Sequence, residues 1–203
     1  MGRACLRTRQ AHSLAAFLGQ GRPGDDDPLL RTTERAPGQA VQGRRVRGLC
    51  RATQVCEVEI DTRTGIVRLV KVTGAHDVGR VLNRLGIEGQ IEGGIVMGQG
   101  YALTENLVVE DGFVRNPNFR DYKLVTAPEI PEMDVSFIET LDGEGPQGAK
   151  GVGEAPAICI AAAVANAIYN ATGVRITSLP FTPERVYRAL HGTAQPLAWT
   201  VPQ

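Results

Sequence analysis

One segment constrains the fold of this chain more than any other. Residues Ala155–Thr172 (APAICIAAAVANAIYNAT) are rich in alanine and apolar on almost every side, a pattern typical of a buried helix. Pro156 suits the first turn of such a helix, and Gly173 suits its end. Because no uninterrupted apolar run approaches ~18 residues, we expect no membrane-spanning segment. The chain therefore needs other elements that cover this helix.

Three strands are predicted from alternating apolar and polar residues. Gln54–Asp61 and Ile66–Val72 alternate on either side of the turn Thr62–Gly65, which indicates a β-hairpin. Asp134–Thr140 is a third strand, and Asp111-Gly112 indicates a second, short hairpin between Leu107–Glu110 and Phe113–Arg115.

Two further helices are predicted. In Ile87–Glu105 apolar residues recur near helical spacing, although five glycines lie among them, each costing about 1 kcal/mol against alanine. Those glycines indicate either tight packing against another helix or a close approach to a bound ligand. The last helix begins at Thr182-Pro183-Glu184 and ends near His191-Gly192. Hairpins together with buried helices predict an α+β domain.

The charge of the chain divides it in two. Residues 1–51 carry ten Arg, three Asp and one Glu, a net charge of +6, whereas residues 52–203 carry −6. The first part has too little apolar surface to offset a backbone entropy cost of about 1–2 kcal/mol per residue. We therefore expect 1–51 to be a disordered or adventitious Arg-rich leader and 52–203 to be the domain. A nucleic-acid-binding arm is the alternative, but it lacks interleaved aromatic residues and zinc-ligand spacing.

The four cysteines predict the compartment. Cys5, Cys50, Cys56 and Cys159 are scattered without any CxxC pair. They therefore predict neither a zinc site nor a disulfide framework, and they fit a reducing cytoplasm.

The glycine-rich loop before the apolar helix is the first candidate for chemistry. Its Gly143-x-Gly145-x-x-Gly148 pattern is a poor dinucleotide fingerprint, because the glycines do not open directly into a helix. Further along, Gly151-Val152-Gly153 brings bare backbone to the helix start, where the helix dipole favours an ionised Glu154. That carboxylate is either a general base beside a ligand or only an electrostatic cap.

Several segments of 52–190 together resemble a known family. In order they are ATQVCEVEIDTRTG, AHDVGRVLN, EGQIEGGIVMGQGYALTE, NPNFRDYKLVTAPEIPE, GAKGVGEAP and TPERVYRAL. This region is similar to the C-terminal end of the molybdenum-cofactor-binding large subunit of the xanthine dehydrogenase/aldehyde oxidase family. Arg84 departs from that pattern, since the family usually has proline after the asparagine at Asn83. We find no likeness to the family in 1–51.

The resemblance implies a molybdenum hydroxylase that hydroxylates an N-heterocycle or an aldehyde. It implies a molybdenum–molybdopterin cofactor without a protein side chain as metal ligand. Glu154 matches the general base; Gly151, Val152 and Gly153 match the loop against the cofactor, and Gln90 matches a glutamine near the pterin. Iron–sulfur clusters and FAD would lie on other domains or subunits. The implied partners are the rest of the molybdenum subunit, iron–sulfur and flavin subunits and a small-molecule substrate.

Three hypotheses follow for the chain as a whole. The first is a fragment of a molybdenum hydroxylase subunit, too short to hold the whole active site and inactive alone. The second is a truncated, non-catalytic binding or assembly module of the same fold. The third, supported only by residues 1–51, is an Arg-armed nucleic-acid binder.

Overall fold

A computed structural model describes residues 5–9, 50–141 and 145–192. The strands of its main sheet are β1 (Cys5–Arg9), β2 (Ala52–Asp61), β3 (Val67–Asp77) and β6 (Glu132–Ile138). These four strands lie side by side in the order β1-β2-β3-β6. Within the described residues three α-helices accompany the strands: α1 (Arg84–Leu103), α2 (Ala155–Thr172) and α3 (Pro183–Leu190). This mixture confirms the predicted α+β class.

The predicted hairpin is confirmed by β2 and β3, which pair antiparallel with a register shift between Glu57 and Val58. Cys56, Val58 and Ile60 alternate into the core, as the strand pattern requires. The turn between the strands needs Gly65, because φ there is +76° and a Cβ would lie 2.0 Å from the Pro183 carbonyl oxygen. β6 then pairs with β3 in parallel.

The glycine-rich segment is helix α1. Asn83 caps its start, since its side-chain oxygen accepts a hydrogen bond from the Gly86 amide at 3.1 Å. Arg84, the departure from the family pattern, occupies the first helical position, where proline is favoured and other residues are accepted. Its guanidinium pairs with Glu88 at 2.9 Å and lies 5.4 Å from the centre of the Phe137 ring.

Four glycines of α1 divide into two groups. A Cβ on Gly94 would lie 2.8 Å from the Pro156 Cβ, and one on Gly98 only 1.9 Å from a methyl carbon of Ile160. These two glycines therefore allow α1 to pack closely against α2. Gly89 and Gly93 lie on the same helix, yet a Cβ there would meet no described atom within 4 Å. Tight helix packing thus accounts for part of the glycine pattern only.

Helix α2 has the ends predicted for it. Pro156 lies in the first turn, and Gly173 ends the helix in the left-handed conformation at φ +72°. By length and composition alone this helix is apolar enough to cross a membrane. Four of its buried residues nevertheless join the core formed with β2, β3 and α1. They are Ile160, Val164, Ala167 and Ile168, and Pro156 is buried as well.

The remaining predicted elements are also present. The short hairpin consists of β4 (Val109–Glu110) and β5 (Phe113–Val114), and Thr182 caps α3 by accepting a hydrogen bond from the Arg185 amide. Asp121 and Tyr122 lie in a turn after Asn118, where the Tyr122 hydroxyl donates to Glu105 at 2.5 Å.

Strand β1 lies within the predicted leader. It pairs antiparallel with β2 along all five of its residues, from Cys5 opposite Asp61 to Arg9 opposite Glu57. Composition did not predict this strand. Residues 10–49 lie outside the described residues, so the division at residue 51 stays a prediction.

Candidate functional site

A cleft of about 290 Å³ lies between the start of α1 and the loop that precedes α2. One wall is the connector from β3 to α1 together with the first turns of α1, and the other is the loop 149–153. The lining residues are Val78, Arg80, Leu82, Asn83, Gly86, Ile87, Gln90, Ala149, Lys150, Val152 and Gly153. The cleft is small beside ligand pockets, which usually enclose about 300–1,000 Å³.

Three of the five predicted site residues meet in this cleft. Gln90 comes from the second turn of α1, whereas Val152 and Gly153 come from the opposite loop. Gly151 and Glu154 do not line the cleft, although they adjoin residues that do. The Gly151 carbonyl accepts a hydrogen bond from the Cys50 thiol at 3.0 Å. The structure therefore brings together two segments that are about 60 residues apart in the sequence.

Glu154 occupies the N-cap position of α2 and is exposed. Its side chain makes no capping hydrogen bond to the first turn of the helix. Its role as an electrostatic cap would therefore rest on charge alone, a contribution of about 0.3–1 kcal/mol. Gly153 lines the cleft, so the side chain of Glu154 extends from the next residue, just beyond the cleft wall.

A buried ion pair supports the base of the cleft. Lys150 Nζ lies 2.7 Å from Asp77 Oδ2, and the two side chains are only 10% and 3% exposed. The same carboxylate accepts hydrogen bonds from the Thr140 hydroxyl at 2.5 Å and the Gly79 amide at 3.1 Å. Burial alone would raise the pKa of Asp77, but the bonds from Lys150, Thr140 and Gly79 hold that pKa below its usual value.

Backbone hydrogen bonds join the same two walls. The Lys150 amide donates to the Val78 carbonyl at 2.9 Å, and the Arg80 amide donates to the Gly148 carbonyl at 2.8 Å. Gly79 lies between Val78 and Arg80 in the chain and has φ +63°. A Cβ on Gly79 would lie 2.3 Å from the Gly148 carbonyl oxygen. This close approach requires glycine.

The start of α2 is tied to the sheet by a second polar contact. Gln54 Nε2 donates to the Pro156 carbonyl at 2.8 Å and lies 3.3 Å from His76 Nε2. His76 is buried, and its burial lowers the pKa of the imidazole. In this structure His76 is therefore a buried residue with Gln54 as its polar neighbour. Within the described ranges no three His, Cys, Asp or Glu side chains are grouped as metal ligands would be.

Sequence reasoning missed the residues beneath the cleft. Asp77, Thr140 and Lys150 were not recognised as a group, because 73 residues separate the first from the last. A carboxylate at the last position of a strand, directly followed by Val78-Gly79, is a signal that could have indicated Asp77. The single lysine of the glycine-rich loop is its natural partner by charge.

Comparison with known proteins identifies the relatives of this chain. A family model described as "Molybdopterin cofactor-binding domain" matches residues 9–131. The match begins inside the predicted leader, so the expectation that nothing before residue 52 resembles the family is wrong. It ends before the loop that carries Glu154.

Two relatives illustrate the similarity and its extent. A putative xanthine dehydrogenase molybdenum-binding subunit of Escherichia coli is 41% identical over 137 residues, which are 66% of this chain and 18% of that protein. The large subunit of nicotine 6-hydroxylase from Paenarthrobacter nicotinovorans is 39% identical over 139 residues, 66% of this chain and 17% of that protein. The chain therefore spans less than a fifth of the length of these relatives.

Solved structures agree with the fold. Aldehyde oxidoreductase from Desulfovibrio gigas superimposes with a TM-score of 0.65 at 35% identity, covering 70% of this chain and 15% of that one. Quinoline 2-oxidoreductase from Pseudomonas putida gives a TM-score of 0.63 at 33% identity, over 67% of this chain and 18% of that one.

Proposed function

The chain belongs to the molybdopterin cofactor-binding domain family of xanthine dehydrogenase and aldehyde oxidoreductase molybdenum-binding subunits, and from this premise we propose that it supplies one side of a molybdenum hydroxylase active site. The supporting observation is the cleft, where Gln90 faces Val152 and Gly153. The proposed reaction is the oxidative hydroxylation of an N-heterocycle or an aldehyde in the cytoplasm.

The residues of the cleft suit one face of a pterin cofactor. Gly86 and Gly153 present bare backbone to the cleft, and a Cβ on Gly153 would meet no described atom within 4 Å. A flat heterocycle can therefore approach the backbone closely. Gln90 is exposed and supplies both amide donors and an acceptor for the ring heteroatoms. In this proposal Gln90, Val152 and Gly153 hold the cofactor, and Gly151 keeps the loop in place.

This proposal requires the rest of the subunit. Among the described residues the cleft is lined by the β3–α1 connector, the first turns of α1 and the loop 149–153, whereas ligand pockets bury most of the ligand surface. A cofactor bound to these residues alone would remain largely in water. We therefore assign the opposite side of the site to the remainder of the molybdenum subunit, and electron transfer to iron–sulfur and flavin partners.

Glu154 is assigned the role of general base. The bound cofactor supplies the oxygen-transfer and electron-accepting chemistry of hydroxylation. Glu154 would accept the proton of the oxygen that attacks the substrate. No amide of the first turn of α2 donates a capping hydrogen bond to the Glu154 carboxylate, so that turn does not occupy its oxygens.

Glu154→Gln tests this role in a complex of the chain with the remainder of a relative's molybdenum subunit. We expect an unchanged molybdenum content and turnover lowered at least ~100-fold, the usual scale for a lost general base. Glutamine keeps the size of the side chain and cannot accept the proton.

Glu184→Gln is the matched control, because Glu184 lies in the first turn of α3 and is also exposed. It changes a helix-terminal charge away from the cleft, so we expect turnover to stay the same. If both variants show normal turnover and slightly lower stability, Glu154 is only a cap. If the complex retains no molybdenum even when both glutamates are unsubstituted, the chain is instead an assembly module.

A further inference from the structure

Side chains from three separate parts of the fold meet at the buried carboxylate of Asp77. Asp77 is the last residue of β3, Thr140 follows the end of β6, and Lys150 lies in the loop before α2. Lys150 Nζ contacts both Asp77 Oδ2 at 2.7 Å and Thr140 Oγ1 at 2.8 Å, so the three side chains form a closed triangle.

This triangle joins the two walls of the cleft below its opening. Asp77 directly precedes Val78 and Arg80, which line one wall, while Lys150 and Gly153 line the other. The loop has no regular helix or strand between Lys150 and Glu154. Beyond the contact at Lys150, the loop is also held by the packing of Val152 against the core and by the Cys50–Gly151 hydrogen bond.

We propose that Asp77, Thr140 and Lys150 form a positioning clamp that holds the loop 149–153 against the β3–α1 connector. The clamp sets the width of the cleft and the point from which Glu154 extends. Its importance for catalysis rests on the proposed function, whereas its effect on the loop does not.

The burial of the clamp supports this assignment over a general contribution to stability. Removing two charges from water costs free energy that the ion pair recovers only with excellent geometry and further hydrogen bonds. Asp77 has both, since it also accepts bonds from Thr140 and the Gly79 amide. An apolar cluster would stabilise the same site without orienting the side chains. Charged hydrogen bonds have a preferred length and direction, so they hold the loop at a defined distance from Asp77.

A second ion pair on the same two strands provides the control. Lys71 on β3 contacts Glu132 on β6 at 2.7 Å, but these side chains are 29% and 70% exposed. It lies at the other end of the paired segment, away from the cleft. Exposed pairs of this kind contribute little to stability.

Hydrogen exchange of the full 203-residue chain without cofactor tests the clamp. Lys150→Met keeps the length of the side chain and removes its charge. We expect the amides of Arg80 and residue 150, which join the two walls, to exchange at least about 100-fold faster. The amides that pair β2 with β3 should change much less. Lys71→Met should leave all these rates unchanged, and Lys150→Arg should restore most of the protection.

Other patterns of exchange would overturn the proposal. A uniform increase at all amides would mean that the pair only stabilises the whole fold, and no increase at Arg80 and residue 150 would mean that it does not hold the loop. If Lys150→Met does not fold, Thr140→Val removes one side of the triangle and is judged by the same comparison. The measurement contains no cofactor, so failure of the proposed function would not alter its outcome.

Discussion

The packing of α1 against α2 at Gly98 allows a matched pair of substitutions on one helix. In Gly98→Ala the new Cβ would lie 1.9 Å from an Ile160 methyl carbon and 2.8 Å from the Ala157 carbonyl oxygen. Carbon atoms in contact are normally about 3.5–4.0 Å apart. Ile160 is fully buried, and a backbone carbonyl cannot rotate away, so α1 and α2 must separate. Gly93→Ala places the same methyl group five residues earlier, where no described atom lies within 4 Å.

Gly98→Ala should lower the free energy of unfolding, whereas Gly93→Ala should raise it. Overpacking costs about 1–3 kcal/mol, and the backbone contact places Gly98→Ala near the upper end. Alanine recovers about 1 kcal/mol through its higher helix propensity, which leaves a net loss of about 2 kcal/mol. Gly93→Ala has only the favourable contribution, so it should stabilise the chain by about 1 kcal/mol.

Urea unfolding followed by circular dichroism measures this difference. We expect the midpoint to fall for Gly98→Ala and to rise for Gly93→Ala, without a change in the slope m. In thermal unfolding, each kilocalorie corresponds to about 2–4 °C in a chain of this size. If the two variants have equal stability, α1 and α2 do not pack through Gly98, and the reasoning from the glycine pattern is refuted.

Three further predictions follow from the buried groups and the cleft. The pKa of Asp77 is lowered in the folded chain. Its contribution to stability is therefore present above the unfolded pKa of about 3.9 and is lost as the pH falls through the folded pKa. Urea titrations between pH 6 and 2 should show this loss in the wild type and a smaller loss in Asp77→Asn. Burial raises the pKa of the Cys56 thiol to about 12. Iodoacetamide at pH 8 should therefore modify Cys56 only after unfolding, which peptide mass spectrometry measures. Rapid labelling of Cys56 in the native chain would contradict its burial. The purified chain without the rest of the subunit should retain no molybdenum by elemental analysis, because its cleft covers only one face of the cofactor; stoichiometric metal would refute that argument.

Most of the local structure could be predicted from the sequence, since its signals act over short distances. Alternation predicts β2 and β3, and Pro156 with Gly173 marks the ends of α2. The short strand β1 could not be predicted, because its five residues carry no clear alternation and pair with residues about 50 positions later. Sheet pairing at that separation depends on tertiary contacts rather than on local propensity.

The site was predictable only in part, for the same reason. Gln90, Val152 and Gly153 were identified through the family resemblance, and the structure places them in one cleft. Asp77 and Lys150 lie in two of the segments that resemble the family, but no local pattern groups them with each other or with Thr140. The members of the clamp come from the ends of separate elements, so only the parallel pairing of β3 with β6 brings Asp77 and Thr140 together.

Glycines along α1 contribute to both the core and the cleft. Gly94 and Gly98 contact α2, and the adjoining Ile91 and Ile95 are fully buried in the core. Gly86 and Gln90 instead line the cleft at the start of the same helix. The core is thus closed by residues of the chain itself, while the cleft remains incomplete. Substitutions in the second half of α1 should therefore alter stability first, and those in its first turns should alter cofactor retention in the assembled subunit at nearly unchanged stability.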